Sequence, residues 1–256
     1  MGLVFGTKEL EHYERWLASP KGRTATMLES ELILSLLEPR PGERLLDVGC
    51  GPGTHLELLR RRGLDVTGLD PSVPMLEAAR QRLGVSVPLH LGYAEHLPFD
   101  DDAFDLCVFI TSLEFVDDPV AALAEAARVA RRRLLIGLVN PYSAHGLQCM
   151  ARSLCGVGIY RQARFFGLGD MRRLIQHTLG DSPLRWRSVL TLPPSLCGLA
   201  LEMERRLSRA NNPFGAFLAM TVDLAYRYRL EIEPFSLPLS MRNRQRLAAG
   251  VGLRAA

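Results

Sequence analysis

The chain has 256 residues, of which 47% are hydrophobic and 23% charged, a balance typical of a globular protein with one large domain or a domain with an appended lobe. Its formal net charge is +3, and its 31 basic residues, nearly all arginine, are scattered along the sequence, which argues against a nucleic-acid partner. Apolar runs stay below the ~18 residues of a membrane-spanning helix, and the N-terminal residues lack a secretory-signal pattern. We therefore expect no membrane span and a cytoplasmic location.

The five cysteines indicate a reducing compartment, since their number is odd and none of them are paired at CxxC spacing. Cys50 falls in a glycine-rich loop and Cys107 in an apolar, strand-like segment. Free thiols are the expectation from this pattern, and a metal site such as zinc is not expected.

Strand-like and helix-like segments alternate through the first 140 residues. Residues 9–37 predict helices, with a break at 19–22. The segments that follow predict strand 44–48, helix 54–62 with Thr54 at its N-cap, strand 65–69, helix 72–83, strands 87–91 and 104–110, helix 118–130 and strand 133–139. Nearly continuous apolar strands alternating with helices predict a parallel sheet covered on both faces, in a doubly wound α/β domain.

The second half of the chain is less regular. A helix is predicted over 169–179 and another over 195–209. Two further strands, over 186–192 and 214–226, are expected to form an antiparallel pair at the sheet edge. The sequence therefore predicts a mostly parallel sheet of seven strands.

A glycine-rich loop follows the first predicted strand directly, in the sequence Asp47-Val-Gly49-Cys-Gly51-Pro-Gly53. Glycines let the backbone approach a ligand and adopt positive φ, and the free N–H groups of the next helix favour a carboxylate or phosphate. The second strand ends in Asp70, 21 residues after Gly49, where an acidic side chain can accept hydrogen bonds from both ribose hydroxyls. Loop and acid together predict a ribose-bearing ligand, and the GxGxG spacing differs from the GxGxxG of dinucleotide-binding proteins.

Four motifs stand in register between about residues 43 and 140: Leu45-Leu-Asp-Val-Gly-Cys-Gly-Pro-Gly-Thr54, Gly68-Leu-Asp-Pro-Ser72 with Met75-Leu76, Ala94-Glu95 with Leu97-Pro98-Phe99, and Phe104-Asp105-Leu106. Together they resemble the motifs of class I S-adenosylmethionine-dependent methyltransferases, in particular the small-molecule branch with ubiquinone- and menaquinone-type enzymes. The resemblance implies a Rossmann-like methyltransferase fold in a single domain, residues 1–256. Within it we expect an N-terminal helical lid (1–40), a cofactor-binding core (41–140) and an acceptor-side insert with the last strands (141–256).

The same resemblance implies S-adenosylmethionine as the cofactor. The Gly49–Gly53 loop would face its methionine part, Asp47 would lie near its amino group, and Asp70 would hold the ribose hydroxyls. Further expected cofactor contacts are Pro71, Met75, Ala94, Glu95 and Thr111. Alternatives stay open, since Asp70 and Thr111 can also act as capping residues, Met75 can be ordinary core and Glu95 a solvated loop acid.

Candidates for the acceptor side lie outside these motifs. Tyr13, Trp16 and Arg23 would belong to the lid and contact the cofactor, where an aromatic ring can lie against its cationic sulfonium; alternatively, Tyr13 and Trp16 are core residues of a docked helix. His145 is the candidate general base, and Tyr142 and Glu114 are further catalytic candidates. Other possible acceptor contacts are Asn140, Tyr160, Arg161 and Arg164.

The leading hypothesis is a methyltransferase that moves a methyl group to O, N or C of a small-molecule acceptor by in-line displacement, a reaction that mainly requires alignment and exclusion of water. Methylation of adenine or glutamine nitrogen is disfavoured, because the fourth strand does not lead into an Asp/Asn-Pro-Pro-Tyr/Phe motif. Two alternatives are a cofactor-binding module without catalysis and an RNA methyltransferase, the latter requiring a continuous basic surface. The identity of the acceptor and the oligomeric state do not follow from the sequence.

Overall fold

The computed structural model describes residues 3–154, 163–192, 201–209 and 211–224. Within them, seven strands form one sheet in the order β3-β2-β1-β4-β5-β7-β6. The strands are β1 Arg44–Val48, β2 Asp65–Asp70, β3 Leu89–Leu91, β4 Phe104–Ile110, β5 Ala130–Val139, β6 Leu184–Val189 and β7 Phe217–Asp223. β1 to β5 are parallel, and β7 runs antiparallel to both β5 and β6. The predicted doubly wound, mostly parallel sheet with an antiparallel edge pair is confirmed.

The helices around this sheet begin at local capping signals. They are α1 Thr7–Ala18, α2 Pro20–Leu37, α3 Thr54–Arg61, α4 Val73–Leu83, α5 Pro119–Val129, α6 Ala144–Leu154, α7 Leu168–Leu179 and α8 Leu201–Arg209. Ser19, Ser72 and Asp118 cap α2, α4 and α5 through side-chain oxygens, each followed by a proline in the first helical turn. Among the described residues, no helix combines the length and hydropathy needed to cross a membrane.

The core lies on both faces of the sheet, and the central strand β4 is buried along its whole length. Successive residues of β4 point to opposite faces. Leu106 and Val108 join a cluster with α2, α3 and α4, whereas Cys107 and Phe109 join a cluster with α5 and α7. The carboxyl ends of β1, β2 and β4 are thereby held in fixed positions at one edge of the sheet.

Several predicted boundaries differ from the structure. The N-cap of α3 is Gly53, with φ +78°, so Thr54 is the first helical residue and its predicted capping position is wrong. β3 begins only at Leu89, since Pro88 has no N–H group for the ladder. β5 begins at Ala130, directly after α5, and an irregularity in its pairing with β4 accommodates the additional residues.

The described residues all belong to one compact unit. The predicted helix over 195–209 is described from residue 201 onward. Residues 225–256, which the single-domain prediction also includes, lie outside the described residues.

The C-terminal end of α2 is attached to the sheet by arginines. The last carbonyls of a helix have no partner within it, and Arg133 of β5, which is 8% exposed, donates Nη1–H to the carbonyl oxygen of Leu37 at 2.6 Å. Arg133 also reaches Glu38 Oε2 at 3.1 Å, and Arg185 of β6 reaches Glu38 Oε1 at 2.8 Å. These bonds, that from Arg185 first, lower the pKa of Glu38 to about 2. The network fixes the C-terminal end of α2 at the amino ends of β5 and β6, away from the carboxyl ends of the parallel strands.

We predict that Arg133→Ala lowers the free energy of unfolding by about 2–3 kcal/mol, because the buried carbonyl of Leu37 loses its side-chain donor and Glu38 loses one of its two arginine partners. Urea denaturation followed by circular dichroism measures the change. Arg61→Ala is the control: Arg61 is 76% exposed and forms an i,i+4 pair with Glu57, so its loss is expected to change stability by less than about 0.5 kcal/mol. Equal, small effects of both substitutions would contradict the assigned role of Arg133.

Candidate functional site

A cleft opens at the carboxyl ends of β1, β2 and β4, where the strand order reverses between β1 and β4. Open α/β sheets bind ligands at this switch point, because the loops that follow the two strands diverge there. The cleft is lined by these strand ends, by the loops that follow them, and by the N-terminal segment through α1.

The glycine loop forms the floor of the cleft. Gly49 has φ +77°, and its N–H donates to the carbonyl oxygen of Leu69 at 2.7 Å. A Cβ at Gly49 would lie 2.4 Å from the Cβ of Ser112, so the loop leaves no room for a side chain there. Gly53 has a different role, because it lies behind the cleft, where an added Cβ would lie 2.8 Å from Leu83 of α4.

Asp70 connects the glycine loop to the start of α4. Its Oδ2 accepts from the N–H of Gly51 and its Oδ1 from the N–H of Ser72, each at 2.8 Å. The carboxylate is 7% exposed and lines the cleft. Each oxygen of a carboxylate accepts more than one hydrogen bond, so both oxygens retain capacity for a ligand.

Asp47 ends in the same cleft, and one of its carboxylate oxygens has no hydrogen-bond partner among the described residues. The residue is 2% exposed, and no described residue hydrogen-bonds its buried Oδ1. Burial, and then the nearby charge of Asp70, raise the pKa of Asp47 to about 8. An isolated buried carboxylate is unfavourable, whereas a carboxylate paired with a cation is stabilised. The position of Asp47 therefore fits a ligand that carries an ammonium group.

Residues 3–5, named here the N-terminal strap, cross the cleft. The N–H of Leu3 donates to the carbonyl oxygen of Phe115 at 3.2 Å, and Ser72 Oγ donates to the carbonyl oxygen of Phe5 at 2.6 Å. The rings of Phe5 and Phe115 meet edge to face, with centroids 4.8 Å apart. The strap thus joins the turn after β4 to the start of α4 and shields the cleft from solvent.

Two loop residues connect neighbouring parts of the cleft wall. Thr111 has φ +50°, unusual for a β-branched residue, and its N–H donates to the carbonyl oxygen of Gly137 at 2.8 Å. Such strain is often found at ligand sites, where the surrounding structure enforces it. Glu95 Oε1 accepts from the N–H groups of Asp117 and Asp118 at 3.0 and 3.2 Å. Both residues therefore hold the loops after β3 and β4 in place while lining the cleft.

Most residues predicted to contact the cofactor line this one cleft: Tyr13, Asp47, Gly49, Gly51, Asp70, Pro71, Met75, Ala94, Glu95 and Thr111. Trp16 does not line it, but stacks on Tyr13 with ring centroids 5.9 Å apart and is 37% exposed. Arg23 is exposed and donates to the carbonyl oxygen of Ala18 at the end of α1.

The three residues predicted to be catalytic are not among the described residues that line the cleft. Glu114 is 1% exposed, and its Oε1 accepts from the N–H of Val139 at 2.9 Å, beyond the end of β4. Burial raises the pKa of Glu114 to about 7. Tyr142 is 64% exposed, and His145 Nε2 lies 3.5 Å from Cys149 Sγ on the same helix.

Of the other predicted acceptor contacts, only Asn140 and Arg164 belong to the described residues. The side-chain amide of Asn140 donates to the carbonyl oxygens of Pro213 and Gly215 at 2.7 and 2.8 Å, which joins the ends of β5 and β7. Arg164 is exposed, and Tyr160 and Arg161 lie outside the described residues.

Sequence reasoning missed several cleft residues, among them Leu3, Phe5, Glu9, His55, Phe115 and Val116. The signal for His55 was available, since it is the second residue of the helix that follows the glycine loop. The strap carries no comparable signal, because its place in the cleft depends on long-range contacts to Ser72 and Phe115.

We predict that, in the absence of ligand, the free energy of unfolding of Asp47→Asn rises relative to that of the unsubstituted protein as the pH increases from 5 to 8. Unfolded Asp47 ionises near pH 4, whereas folded Asp47 stays protonated up to about pH 8. The folded state therefore binds the extra proton, and the unsubstituted protein loses stability across this window. Asparagine does not titrate, so the difference in free energy of unfolding is expected to grow by at least about 1 kcal/mol.

Urea denaturation at pH 5, 6.5 and 8 measures this difference. Asp65→Asn, at the exposed opposite end of β2, is the matched control for the loss of a carboxylate, and the stability difference of Asp47→Asn is compared with it at each pH. A pH-independent difference for Asp47→Asn would contradict the raised pKa.

Comparison with known proteins agrees with this architecture. Residues 46–134 match the model of a methyltransferase domain family. The chain is 43% identical over 101 residues to a malonyl-[acyl-carrier protein] O-methyltransferase of Serratia marcescens, covering 40% of this chain and 39% of the relative. It is 39% identical over 95 residues to a demethylmenaquinone methyltransferase of Corynebacterium kroppenstedtii, covering 37% and 40%. The chain thus spans about two fifths of the length of these relatives.

A solved structure is similar over most of its length. It is a SAM-dependent methyltransferase of Thermotoga maritima, described as a possible histamine N-methyltransferase, with 26% identity, a TM-score of 0.68 and coverage of 85% of this chain and 96% of that one. The matched segment contains the glycine loop, Asp70 and the strands that form the cleft. Residues 46–134 thus carry a methyltransferase domain, and the fold of the described residues is similar to that of an S-adenosylmethionine-dependent methyltransferase.

Proposed function

We propose that this protein binds S-adenosylmethionine in the cleft and transfers its methyl group to O, N or C of a small-molecule acceptor. The observation that carries the proposal is the pair of acidic residues at the ends of β1 and β2. The buried Oδ1 of Asp47 has no partner in the described part of the chain, and Asp70 is fixed beside the glycine loop. This arrangement suits a ligand with an ammonium group next to a ribose.

In this proposal each wall of the cleft binds one part of the cofactor. Asp47 pairs with the ammonium group, Asp70 accepts from the ribose hydroxyls, and the backbone of Gly49 and Gly51 lies against the methionine part. Thr111 lies at the methionyl end. The adenine is bounded by Pro71, Met75, Ala94 and Glu95, all of which line the cleft.

The bound cofactor supplies an electrophilic methyl group on a sulfonium sulfur. The chain itself aligns the reactants and excludes water, which are the main requirements of an in-line displacement. Phe5, Phe109, Ile110, Phe115 and Val116 give the cleft an apolar wall that serves this exclusion. Glu114, Tyr142 and His145 lie beyond the cleft lining, so the proposed reaction relies on orientation rather than on one of them as a base.

The relatives' names support a small-molecule or carrier-bound acceptor without fixing it, since the matches cover the cofactor-binding part of the chain. A formal net charge of +3 gives little support to an RNA acceptor. Free thiols at Cys50, Cys107 and Cys149 support the proposed cytoplasmic location.

We predict that S-adenosylhomocysteine binds the unsubstituted protein in a calorimetric titration and that Asp70→Asn weakens binding about 10-fold or more, because a charged acceptor of hydrogen bonds is lost. Asp65→Asn, on the same strand but exposed at its far end, serves as control and should leave the affinity unchanged. If the unsubstituted protein binds neither S-adenosylhomocysteine nor S-adenosylmethionine, the proposal is wrong.

Transfer is tested with S-adenosylmethionine labelled in its methyl group and a panel of acceptors that offer oxygen, nitrogen or carbon nucleophiles. Labelled product that disappears in Asp70→Asn supports the proposed enzyme. Tight cofactor binding without product across the panel would favour a binding module that lacks catalysis.

A further inference from the structure

A buried polar atom that lines the cleft beside the glycine loop has no hydrogen-bond partner among the described residues. His55 lies in the first turn of α3, directly after the glycine loop, and contributes to the cleft lining. Its Nδ1 is buried, and no described residue forms a hydrogen bond with it. Because an unsatisfied buried polar atom is unfavourable, such an atom beside a ligand cleft indicates a partner that arrives with the ligand.

The groups around His55 make this corner rich in donors. Tyr13 and Thr54 line the cleft together with His55, and Arg82 of α4 donates Nη1–H to Thr54 Oγ1 at 3.3 Å. The N-cap of α3 is Gly53, which offers no side-chain acceptor to the first N–H groups of the helix. The N–H groups at the start of α3 favour an anion, whereas the Arg82 guanidinium also donates to the carbonyl oxygen of Pro52 and lies outside the cleft lining.

Two acidic groups border the same corner. Arg82 Nη2 lies 3.7 Å from Glu14 Oε1 in a partly exposed ion pair, while Arg82 Nη1 donates to Thr54. Glu29 of α2 influences Tyr13 electrostatically, and burial raises the pKa of Glu29 to about 7, which reduces its negative charge near neutral pH. Burial lowers the pKa of His55 to about 4, so its imidazole is neutral there. A neutral imidazole carries one N–H donor.

We propose that His55 donates a hydrogen bond from Nδ1–H to the carboxylate at the amino-acid end of the cofactor. The inference rests on the proposed function, since it takes the amino-acid part to lie over the glycine loop. The ammonium and carboxylate of an amino acid are attached to one carbon atom, so a carboxylate lies beside an ammonium paired with Asp47. His55 and the start of α3 follow Asp47 directly along the loop and face the same end of the cleft.

This assignment makes His55 a residue that distinguishes nucleosides with an amino-acid end from those without one. 5′-Methylthioadenosine has the adenosine and thioether of S-adenosylhomocysteine but lacks the amino-acid end. A contact between His55 and the carboxylate therefore affects only one of these two ligands. A purely structural histidine would affect both through the shape of the cleft.

The experiment is calorimetric titration of both ligands into the unsubstituted protein and into His55→Ala, His55→Gln and His55→Asn. An asparagine amide can place its N–H near the position of Nδ1, whereas a glutamine amide lies near that of Nε2. We expect Ala and Gln to weaken S-adenosylhomocysteine binding about 10-fold or more, as for loss of a hydrogen bond to a charged group. The affinity of His55→Asn for S-adenosylhomocysteine should stay within about 3-fold of that of the unsubstituted protein. The affinity for 5′-methylthioadenosine should change less than about 2-fold in every variant.

Equal weakening of both ligands in His55→Ala and His55→Gln, or unchanged S-adenosylhomocysteine binding in both, overturns the inference. If His55→Ala does not fold, the S-adenosylhomocysteine affinities of His55→Asn and His55→Gln are compared instead. Equal weakening in these two variants would contradict the inference. If the unsubstituted protein binds 5′-methylthioadenosine as tightly as S-adenosylhomocysteine, the inference about His55 is also overturned. The cleft would then still bind the nucleoside part of the ligand. An unsubstituted protein that binds neither ligand overturns the proposed function itself.

Discussion

The cleft depends on one electrostatic constraint, the burial of Asp47 beside Asp70 at the ends of neighbouring parallel strands. Asp70 is satisfied by the N–H groups of Gly51 and Ser72, whereas Asp47 has a buried oxygen without a partner among the described residues. Burial and the charge of Asp70 raise the pKa of Asp47 to about 8. The folded protein thus keeps an unfavourable group in place for a cationic ligand, a common feature of functional sites.

The fold holds this pair through contacts that allow little movement. Gly49 lies so close to Ser112 that the loop after β1 and the turn after β4 form one surface, and Asp70 fixes the same loop to α4. The strap then closes the cleft through Phe5 and Phe115. Because each contact joins segments distant in sequence, the cleft exists only when the sheet is formed, which couples the local chemistry to the global fold.

The sequence predicts the sheet and most of the cofactor wall, since apolar strands and glycine-loop chemistry are local signals. The seven strands, their edge pair and the cleft position of Asp70 follow from such signals, whereas the cleft positions of Asp47 and Glu95 follow from the resemblance to a methyltransferase family. The cap of α3 was mispredicted because the positive φ of Gly53 depends on its packing against α4. The strap and the position of Glu114 are set by long-range contacts, which periodicity and motifs do not encode.

The most direct test of the central claim is calorimetry of S-adenosylhomocysteine binding at pH 7 in phosphate and in Tris, whose protonation enthalpies differ. Pairing with the ligand's ammonium should ionise Asp47, whose pKa of about 8 leaves it protonated in the free protein. The account predicts release of close to one proton, about 0.9, per ligand bound, and almost none in Asp47→Asn. A binding enthalpy of the unsubstituted protein that is identical in the two buffers would contradict the account.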